Sequence, residues 1–233
     1  MSKTYFITGS NRGIGLGLTN TYLNQGHRVF STYRKDNDAL LDLKEIFPDA
    51  LTLLQMDVAD KASIEDAFKP LNALTDSIDI LINNAGRYGS SQMSLNENFD
   101  IEDIVLTYRT NTLGPLLVLQ QARPFLEKGA DKKAIHISSK VGSIQDNESG
   151  GAYGYRASKT ALNMMNKNMS IDLKDQGIAS IVMHPGWVQT DMGGSNAPID
   201  IKSSVTSLVT TIDQLSFDDS GKFFERDGSQ IPW

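Results

Sequence analysis

Short apolar runs alternate along the chain with longer stretches in which apolar residues recur at every third or fourth position. The short runs are rich in β-branched and aromatic residues and predict strands, whereas the periodic stretches predict helices that turn one face towards a core. Strands are predicted at 5–7, 29–33, 51–56, 78–82, 134–137, 178–183 and 221–224. Helices are predicted at about 14–23, 36–47, 62–71, 99–112, 113–127, 155–175 and 200–214.

This alternation predicts an α/β fold. Strands that are apolar on both faces and are joined by helices specify a parallel sheet with helices on each side. The 233 residues are expected to form a single domain, 1–233. Ligands of such sheets bind beyond the carboxyl ends of the strands. The polar motifs of this chain fall at those ends: Thr8-Gly9, Asn83 to Gly86, Ser138-Ser139 and Pro185-Gly186.

Composition excludes several classes of function. The 22 basic and 28 acidic residues include no basic stripe, so nucleic acid is not an expected partner. The chain has no cysteine, which excludes disulfides and cysteine-ligated zinc, and its three histidines form no cluster with carboxylates, so no metal site is predicted. Neither a signal peptide nor an apolar run of ~18 residues is present, so we expect a cytoplasmic protein with no membrane partner.

A glycine-rich turn, Gly9-Ser10-Asn11-Arg12-Gly13-Ile14-Gly15, joins the first strand to its helix. Backbone N–H groups and the positive end of the helix face this turn, and glycine lets a diphosphate approach closely. Leu18 stands where the commoner dinucleotide fingerprint has its third glycine. The turn predicts a dinucleotide site, although turns of this kind also occur without a ligand.

Two arginines flank the expected nucleotide site. Arg12 lies in the glycine-rich turn and Arg34 just past the second strand, where the adenosine ribose is expected. An acidic residue there binds the free 2′-hydroxyl of NAD, whereas arginine accommodates a 2′-phosphate. The cofactor is therefore predicted to be NADP, with NAD left open by Asp36.

Tyr155 and Lys159 stand four residues apart in a predicted helix and project from the same face. A free tyrosine titrates near ~10, and a neighbouring ammonium lowers its pKa towards the range in which acid–base exchange is efficient. The pair predicts a general acid–base site. The same spacing also occurs on half-exposed helices without chemistry.

Taken in order, the motifs resemble the short-chain dehydrogenase/reductase family over nearly the whole chain. They are Thr8-Gly9-x-x-x-Gly13-Ile14-Gly15, Asp57-Val58, Asn83-Asn84-Ala85-Gly86, Asn111, Ile137-Ser138-Ser139, Tyr155-x-x-x-Lys159 and Pro185-Gly186-x-Val188-x-Thr190. The runs 155–163, 184–194 and 227–233 are similar to the C-factor and sniffer-type carbonyl reductase subgroup. The resemblance implies a Rossmann-type, doubly wound parallel sheet of about seven strands with helices on both faces.

The resemblance also implies roles for four catalytic residues. Ser139 would hydrogen-bond the substrate carbonyl, and Tyr155 would protonate its oxygen as hydride arrives from the nicotinamide. Lys159 would lower the tyrosine pKa and hold the nicotinamide ribose, while Asn111 would anchor a water that relays protons to Lys159. Ser139 precedes Tyr155 by more residues than is usual in the family, which leaves Ser138, and more weakly Tyr153, as alternatives.

The cofactor-binding residues implied by the resemblance and the turn are Gly9, Asn11, Arg12, Ile14, Arg34, Asp57, Val58, Asn84, Ala85, Gly86, Tyr155, Lys159, Pro185, Gly186, Val188 and Thr190. Asp57 and Val58 would face adenine. Asn84 to Gly86 would face its ribose, and Pro185 to Thr190 the nicotinamide carboxamide. The segment 191–198, rich in Gly, Ser and Asn, is expected to be a mobile flap over the pocket.

The expected function is NADPH-dependent reduction of a ketone, aldehyde or quinone to an alcohol, with Tyr155 as the proton donor. Because a fold does not fix a function, an NADP(H)-binding redox-sensing or signalling protein stays open. A nucleotide-sugar epimerase is disfavoured, since the segment after Thr190 is too short for a substrate domain. A homodimer or homotetramer, paired through 99–127 and 155–175, is compatible with the pattern.

Overall fold

The computed structural model describes residues 2–35, 38–90 and 93–233. In this part of the chain seven strands form one sheet in the order β3-β2-β1-β4-β5-β6-β7, and all neighbouring strands are parallel. They are β1 (Thr4–Ile7), β2 (Arg28–Tyr33), β3 (Leu51–Gln55), β4 (Ile80–Asn83), β5 (Lys133–Ile137), β6 (Ala179–His184) and β7 (Phe223–Glu225). The predicted parallel sheet is confirmed.

Helices cover both faces of the sheet. They are α1 (Gly13–Asn24), α2 (Asp38–Ile46), α3 (Lys61–Phe68), α4 (Leu71–Leu74), α5 (Ile101–Tyr108), α6 (Gly114–Leu126), α7 (Tyr153–Asp172) and α8 (Ile201–Gln214). Short 3-10 turns lie at Lys140–Gly142, Lys174–Gln176 and Phe217–Asp219. No helix in the three described ranges combines the length and the apolar character that crossing a bilayer requires.

Two apolar clusters, one on each face of the sheet, hold these helices. Successive residues of a strand point to opposite faces. Tyr5 and Ile7 of β1 therefore enter one cluster, and Phe6 between them enters the other. The first cluster includes buried residues of α1, α2 and α8, and the second those of α3, α6 and α7. Burial on both faces explains why the strands are nearly continuous apolar runs.

Several predicted helices have different bounds in the structure, and two of them bear on the predictions above. The helix predicted at 62–71 divides, because α3 ends at Phe68 and the one-turn α4 begins after Pro70, which has no N–H to continue the ladder. The helix predicted at 36–47 is observed as α2, from Asp38 to Ile46. Positions 36 and 37, including the Asp36 that left NAD open, lie outside the described residues.

The predicted junction between 99–112 and 113–127 is not a break. A π-helical turn at Arg109–Leu113 joins α5 to α6, and the Gly114 N–H donates to the Arg109 carbonyl five residues earlier. The wide turn suits Pro115, which has no N–H for a bond of ordinary helical spacing. An ideal Cβ at Gly114 would lie 2.7 Å from the Val58 carbonyl oxygen, so glycine lets this turn pack against the segment after β3.

Asp79 ties together the amino ends of the central strands. Its carboxylate accepts hydrogen bonds from the backbone N–H groups of Thr4 and Ala130, both at 2.7 Å. Its own N–H donates to the Thr4 carbonyl, and its carbonyl accepts from the Lys133 N–H. The residue is buried, so these groups have little access to water as an alternative partner.

Asp79→Ala should lower the free energy of unfolding by about 2 kcal/mol, because two backbone donors lose their acceptor. Urea unfolding followed by circular dichroism measures the change. Asp42→Ala, at an exposed position of α2, should change it by less than about 0.5 kcal/mol. Equal losses in the two variants would contradict the role assigned to Asp79.

Candidate active site

The strand order reverses between β1 and β4, because the chain runs outward from β1 to β2 and β3 and then returns to the other side of β1. A reversal of this kind opens a crevice at the carboxyl ends of the strands. A cleft of about 990 Å³ lies there. Its lining includes the predicted residues Gly9, Asn11, Arg12, Ile14, Arg34, Asp57, Val58, Asn84, Ala85, Gly86, Tyr155, Lys159, Pro185 and Thr190.

The glycine-rich turn packs tightly on the segment that follows β4. Gly9 has a φ of +67°, and an ideal Cβ there would lie 2.8 Å from the Ala85 Cα. The Thr8 hydroxyl accepts hydrogen bonds from the N–H groups of Asn84 and Ala85, each at 3.0 Å. A side chain in place of Gly9 would collide with Ala85, so glycine is required for the turn to pack against the segment after β4.

The start of α1 presents its N–H groups without a side-chain cap. Arg12 occupies the N-cap position and makes no capping hydrogen bond with its side chain. Its guanidinium instead pairs with Asp191, and both side chains are largely exposed. The uncapped donors and the positive end of the helix dipole suit an anionic group.

The end of the cleft beside β2 and β3 carries a second arginine. The Arg34 guanidinium lies 3.8 Å from the Asp57 carboxylate at an exposed position. Exposed ion pairs contribute about 0–1 kcal/mol, so neither this pair nor Arg12–Asp191 holds its arginine strongly. Both guanidinium groups are thus available to a phosphate dianion.

At the other end of the cleft, α7 brings Tyr155 and Lys159 together. The Lys159 ammonium is buried, donates to the Ile137 carbonyl at 2.9 Å and lies 5.8 Å from the centre of the Tyr155 ring. Burial lowers the pKa of Lys159 to about 8. This amine therefore exchanges protons closer to neutrality than an exposed lysine does.

The pKa of Tyr155 moves in the direction opposite to the sequence prediction. Although part of the side chain is exposed, desolvation raises the pKa of the phenol to about 12. A hydrogen-bonding interaction with the Ser139 hydroxyl lowers this pKa and the nearby Tyr88 raises it, but both effects are smaller. The prediction that Lys159 lowers the pKa of the phenol was wrong for this structure, because desolvation is the largest influence and raises this pKa.

Ser138 and Ser139 differ in the partners of their hydroxyls. Although Ser138 lines the cleft, its hydroxyl donates to the Asn163 side-chain carbonyl at 2.8 Å. Ser139 is buried and interacts with the Tyr155 phenol. The remaining alternative, Tyr153, packs its ring against Phe99 with the centroids 5.3 Å apart and does not line the cleft.

Four predicted site residues, Asn111, Ser139, Gly186 and Val188, lie outside the lining of the cleft. The Asn111 side chain is fully buried and bonds to the backbone of Arg87. An ideal Cβ at Gly186 would lie 2.5 Å from the Ile199 side chain, and Val188 forms a β-bridge with Ile199. Gly186 and Val188 therefore shape the segment after β6 that leads into the predicted flap.

The predicted flap lies against the glycine-rich turn. An ideal Cβ at Gly13 would lie 3.4 Å from the Thr190 methyl group, and Asp191 pairs with Arg12. The Trp187 indole donates to the Gly193 carbonyl at 2.7 Å. The segment after β6 is therefore held by a hydrogen bond within it and by contacts with the glycine-rich turn.

Several lining residues were missed by the sequence analysis. They include Lys35, Met56, Arg87, Leu106, Thr110, Gln189 and Met192. Leu106 and Thr110 stand four residues apart and so share one helical face. That spacing, together with the position of the helix after the Asn83 to Gly86 motif, is the signal that could have indicated them.

Comparison with known proteins gives a consistent result. The family model described as short chain dehydrogenase matches residues 3–199. C-signal of Myxococcus xanthus is 43% identical over 162 residues, which cover 70% of this chain and 96% of that protein. A 1-hydroxy-2-glutathionyl-2-methyl-3-butene dehydrogenase of Rhodococcus sp. is 30% identical over 236 residues, covering 99% of this chain and 100% of that protein.

Solved structures agree with these relatives. Carbonyl reductase Sniffer of D. melanogaster superposes with a TM-score of 0.93 at 34% identity, and the match covers 100% of both chains. The NADPH-bound carbonyl reductase from chicken fatty liver superposes with a TM-score of 0.91 at 34% identity, covering 100% of this chain and 94% of that one. The family model alone spans most of the sequence. This chain therefore belongs to the short-chain dehydrogenase family.

Proposed function

We propose that this protein is an NADPH-dependent oxidoreductase that reduces a ketone, aldehyde or quinone to an alcohol. One observation carries the proposal: a phenol and a buried amine line one end of a cleft whose other end carries a glycine-rich turn and two arginines, and the Ser139 hydroxyl lies close enough to the phenol to lower its pKa. The bound NADPH of the chicken carbonyl reductase supports the choice of cofactor. We further propose one catalytic domain that acts in the cytosol on small molecules, with a homodimer or homotetramer as its assembly.

The cofactor site is proposed to extend along the carboxyl ends of the strands. The uncapped start of α1 would bind the diphosphate, and Arg12 and Arg34 would bind the 2′-phosphate. Asp57 and Val58 would contact adenine, and Asn84 to Gly86 its ribose. Pro185 and Thr190 would face the carboxamide, with Gly186 and Val188 shaping their segment. When bound, the nicotinamide supplies the hydride.

Tyr155 would act as the general acid. A phenol whose pKa is raised to about 12 carries its proton throughout the neutral range. Ser139 would hydrogen-bond the substrate carbonyl and hold its oxygen near this proton, since it already interacts with the phenol. Protonation of the oxygen as negative charge develops on it lowers the barrier.

Lys159 would hold the nicotinamide ribose through its buried ammonium. The ammonium lies 5.8 Å from the centre of the Tyr155 ring, so the ribose would be held beside the general acid. Asn111 bonds to Arg87 and to the Ser158 hydroxyl, so we propose that it supports the water relay by fixing the segment beside Lys159. Asn111 would then act by positioning this segment.

Tyr155→Phe should lower kcat for carbonyl reduction by about 10²- to 10⁴-fold, because the general acid is lost. The dissociation constant for NADPH, measured by fluorescence titration, should stay nearly unchanged. Tyr153→Phe on the same helix should keep wild-type turnover. Full activity of Tyr155→Phe would remove Tyr155 from the proposed mechanism.

Arg34→Ala should weaken NADPH binding by about 10- to 100-fold, since a charge-assisted bond to the 2′-phosphate is lost. NADH, which lacks that phosphate, provides the internal control and should bind the variant and the wild type alike. Isothermal titration of both cofactors measures the difference. A parallel loss for NADH would show that Arg34 does not read the 2′-phosphate.

The buried amine predicts a pH dependence of stability. The pKa of Lys159 is about 8 in the folded protein and near ~10.4 in an unfolded chain. Between these values the unfolded chain binds more protons, so the free energy of unfolding rises with pH by up to about 3 kcal/mol. Lys159→Met should lack this rise in urea titrations from pH 7 to 10.5.

Lys167→Met provides the control for this measurement, because Lys167 is exposed on the same helix. In this variant the free energy of unfolding should rise with pH as steeply as in the wild type. A slope in Lys159→Met equal to that of the wild type would contradict burial of a titrating amine at position 159.

A second candidate function is an NADP(H)-binding signalling or redox-sensing protein. The identity of 43% with C-signal of Myxococcus xanthus favours it. Tight NADPH binding without turnover across a panel of aldehydes, ketones and quinones would support this candidate against the reductase. NADPH oxidation by any member of the panel would support the reductase.

A further inference from the structure

The loop that follows β4 is fixed at its start by a buried side chain. The Asn111 side-chain carbonyl accepts from the Arg87 N–H at 2.8 Å, and the Asn111 amide donates to the Arg87 carbonyl at 2.8 Å. Asn111 is fully buried in the π-helical turn and also donates to the Ser158 hydroxyl of α7. The backbone of Arg87 therefore has a defined position relative to both helices.

Asp103, in the first turn of α5, holds the same loop from the other side. It pairs with the Arg87 guanidinium and accepts from the Ser90 N–H and hydroxyl at 2.6 and 2.8 Å. Desolvation raises the pKa of this carboxyl, but the bonds from Ser90 and Arg87 outweigh it and lower the pKa. At Gly89, where φ is +72°, an ideal Cβ would overlap the Thr107 hydroxyl, so the loop wraps closely around the helix.

Tyr88 lies between these two anchors and packs against the proposed general acid. Its ring centroid is 4.8 Å from that of Tyr155, with the planes inclined by 50°. The Tyr88 residue is 37% exposed, so part of the ring remains available to a ligand. Tyr155 lines the cleft, whereas Tyr88 lies outside that lining and reaches the site through its contact with the Tyr155 ring.

We propose that Tyr88 determines substrate specificity by stacking on the flat, conjugated body of a carbonyl compound whose oxygen faces Tyr155, and that Asp103 positions Tyr88. The inference rests on the proposed reductase function. Aromatic rings gain additional stabilisation from offset or tilted packing that a saturated ring of similar size does not gain. The wild type is therefore expected to prefer aromatic over saturated carbonyl compounds.

The experiment compares kcat/KM for benzaldehyde and cyclohexanecarbaldehyde with NADPH in the wild type, Tyr88→Phe and Tyr88→Leu. Phenylalanine keeps the ring and should keep the preference for benzaldehyde. Leucine keeps apolar bulk without the ring and should lower that preference by about three- to tenfold, mainly through KM. Asp103→Asn, which releases the Arg87 guanidinium, should also lower the preference for benzaldehyde.

Tyr153→Leu is the matched control. Tyr153 is 38% exposed and also packs on one aromatic ring, but that ring belongs to Phe99 and not to the proposed general acid. This variant should keep the wild-type preference. Thermal unfolding and NADPH titration of each variant separate a loss of folding or of cofactor binding from a change in specificity.

Equal losses for both aldehydes in Tyr88→Leu would overturn the inference, because Tyr88 would then only support Tyr155. A wild type that reduces both aldehydes without preference, or prefers the saturated one, would overturn it while leaving the proposed function intact. Failure of the wild type to oxidise NADPH with any member of the carbonyl panel would instead overturn the proposed function and with it the role of Tyr88.

Discussion

The buried ammonium of Lys159 constrains the structure around it, because removing a charge from water is costly unless a hydrogen bond replaces the lost hydration. Its Nζ donates to the carbonyl of Ile137, which brings α7 against the end of β5. An ideal Cβ at Gly142 would lie 2.9 Å from the Lys159 Cβ, so the turn after β5 needs glycine there. An ideal Cβ at Gly86 would lie 3.7 Å from Nζ on another side. Glycines thus lie against both the base and the amine of the Lys159 side chain.

Hydrogen bonding differs between the amino and the carboxyl ends of the strands. At the amino ends, the Asp79 carboxylate accepts hydrogen bonds from backbone donors of neighbouring segments, which favours stability. At the carboxyl ends, the start of α1 has no side-chain cap, and a phenol and an amine are held at shifted pKa values. Groups held in this way cost stability, and their cost is tolerated where a ligand can use them. The fold therefore separates its stabilising contacts from its chemistry.

The sequence predicted the features that depend on local periodicity. The strands were found because burial on both faces leaves a continuous apolar run, as in β1. The pairing of Tyr155 with Lys159 was found because a spacing of four residues fixes a shared helical face. The direction of the shift in the Tyr155 pKa was not predicted, because desolvation depends on packing by segments that are distant in sequence. The choice between Ser138 and Ser139 likewise depends on a contact with Asn163 that no spacing reveals.

The π-helical turn at Arg109–Leu113 has an evolutionary consequence. A turn of this kind contains one residue more than an ordinary helical turn, and one residue corresponds to a rotation of about 100°. The widened turn absorbs this rotation, so deleting a single residue there would restore regular winding and leave α6 facing α3 and β4 nearly as before. Homologues that lost one codon at this place would therefore be expected to keep the packing of α6 on α3 and β4.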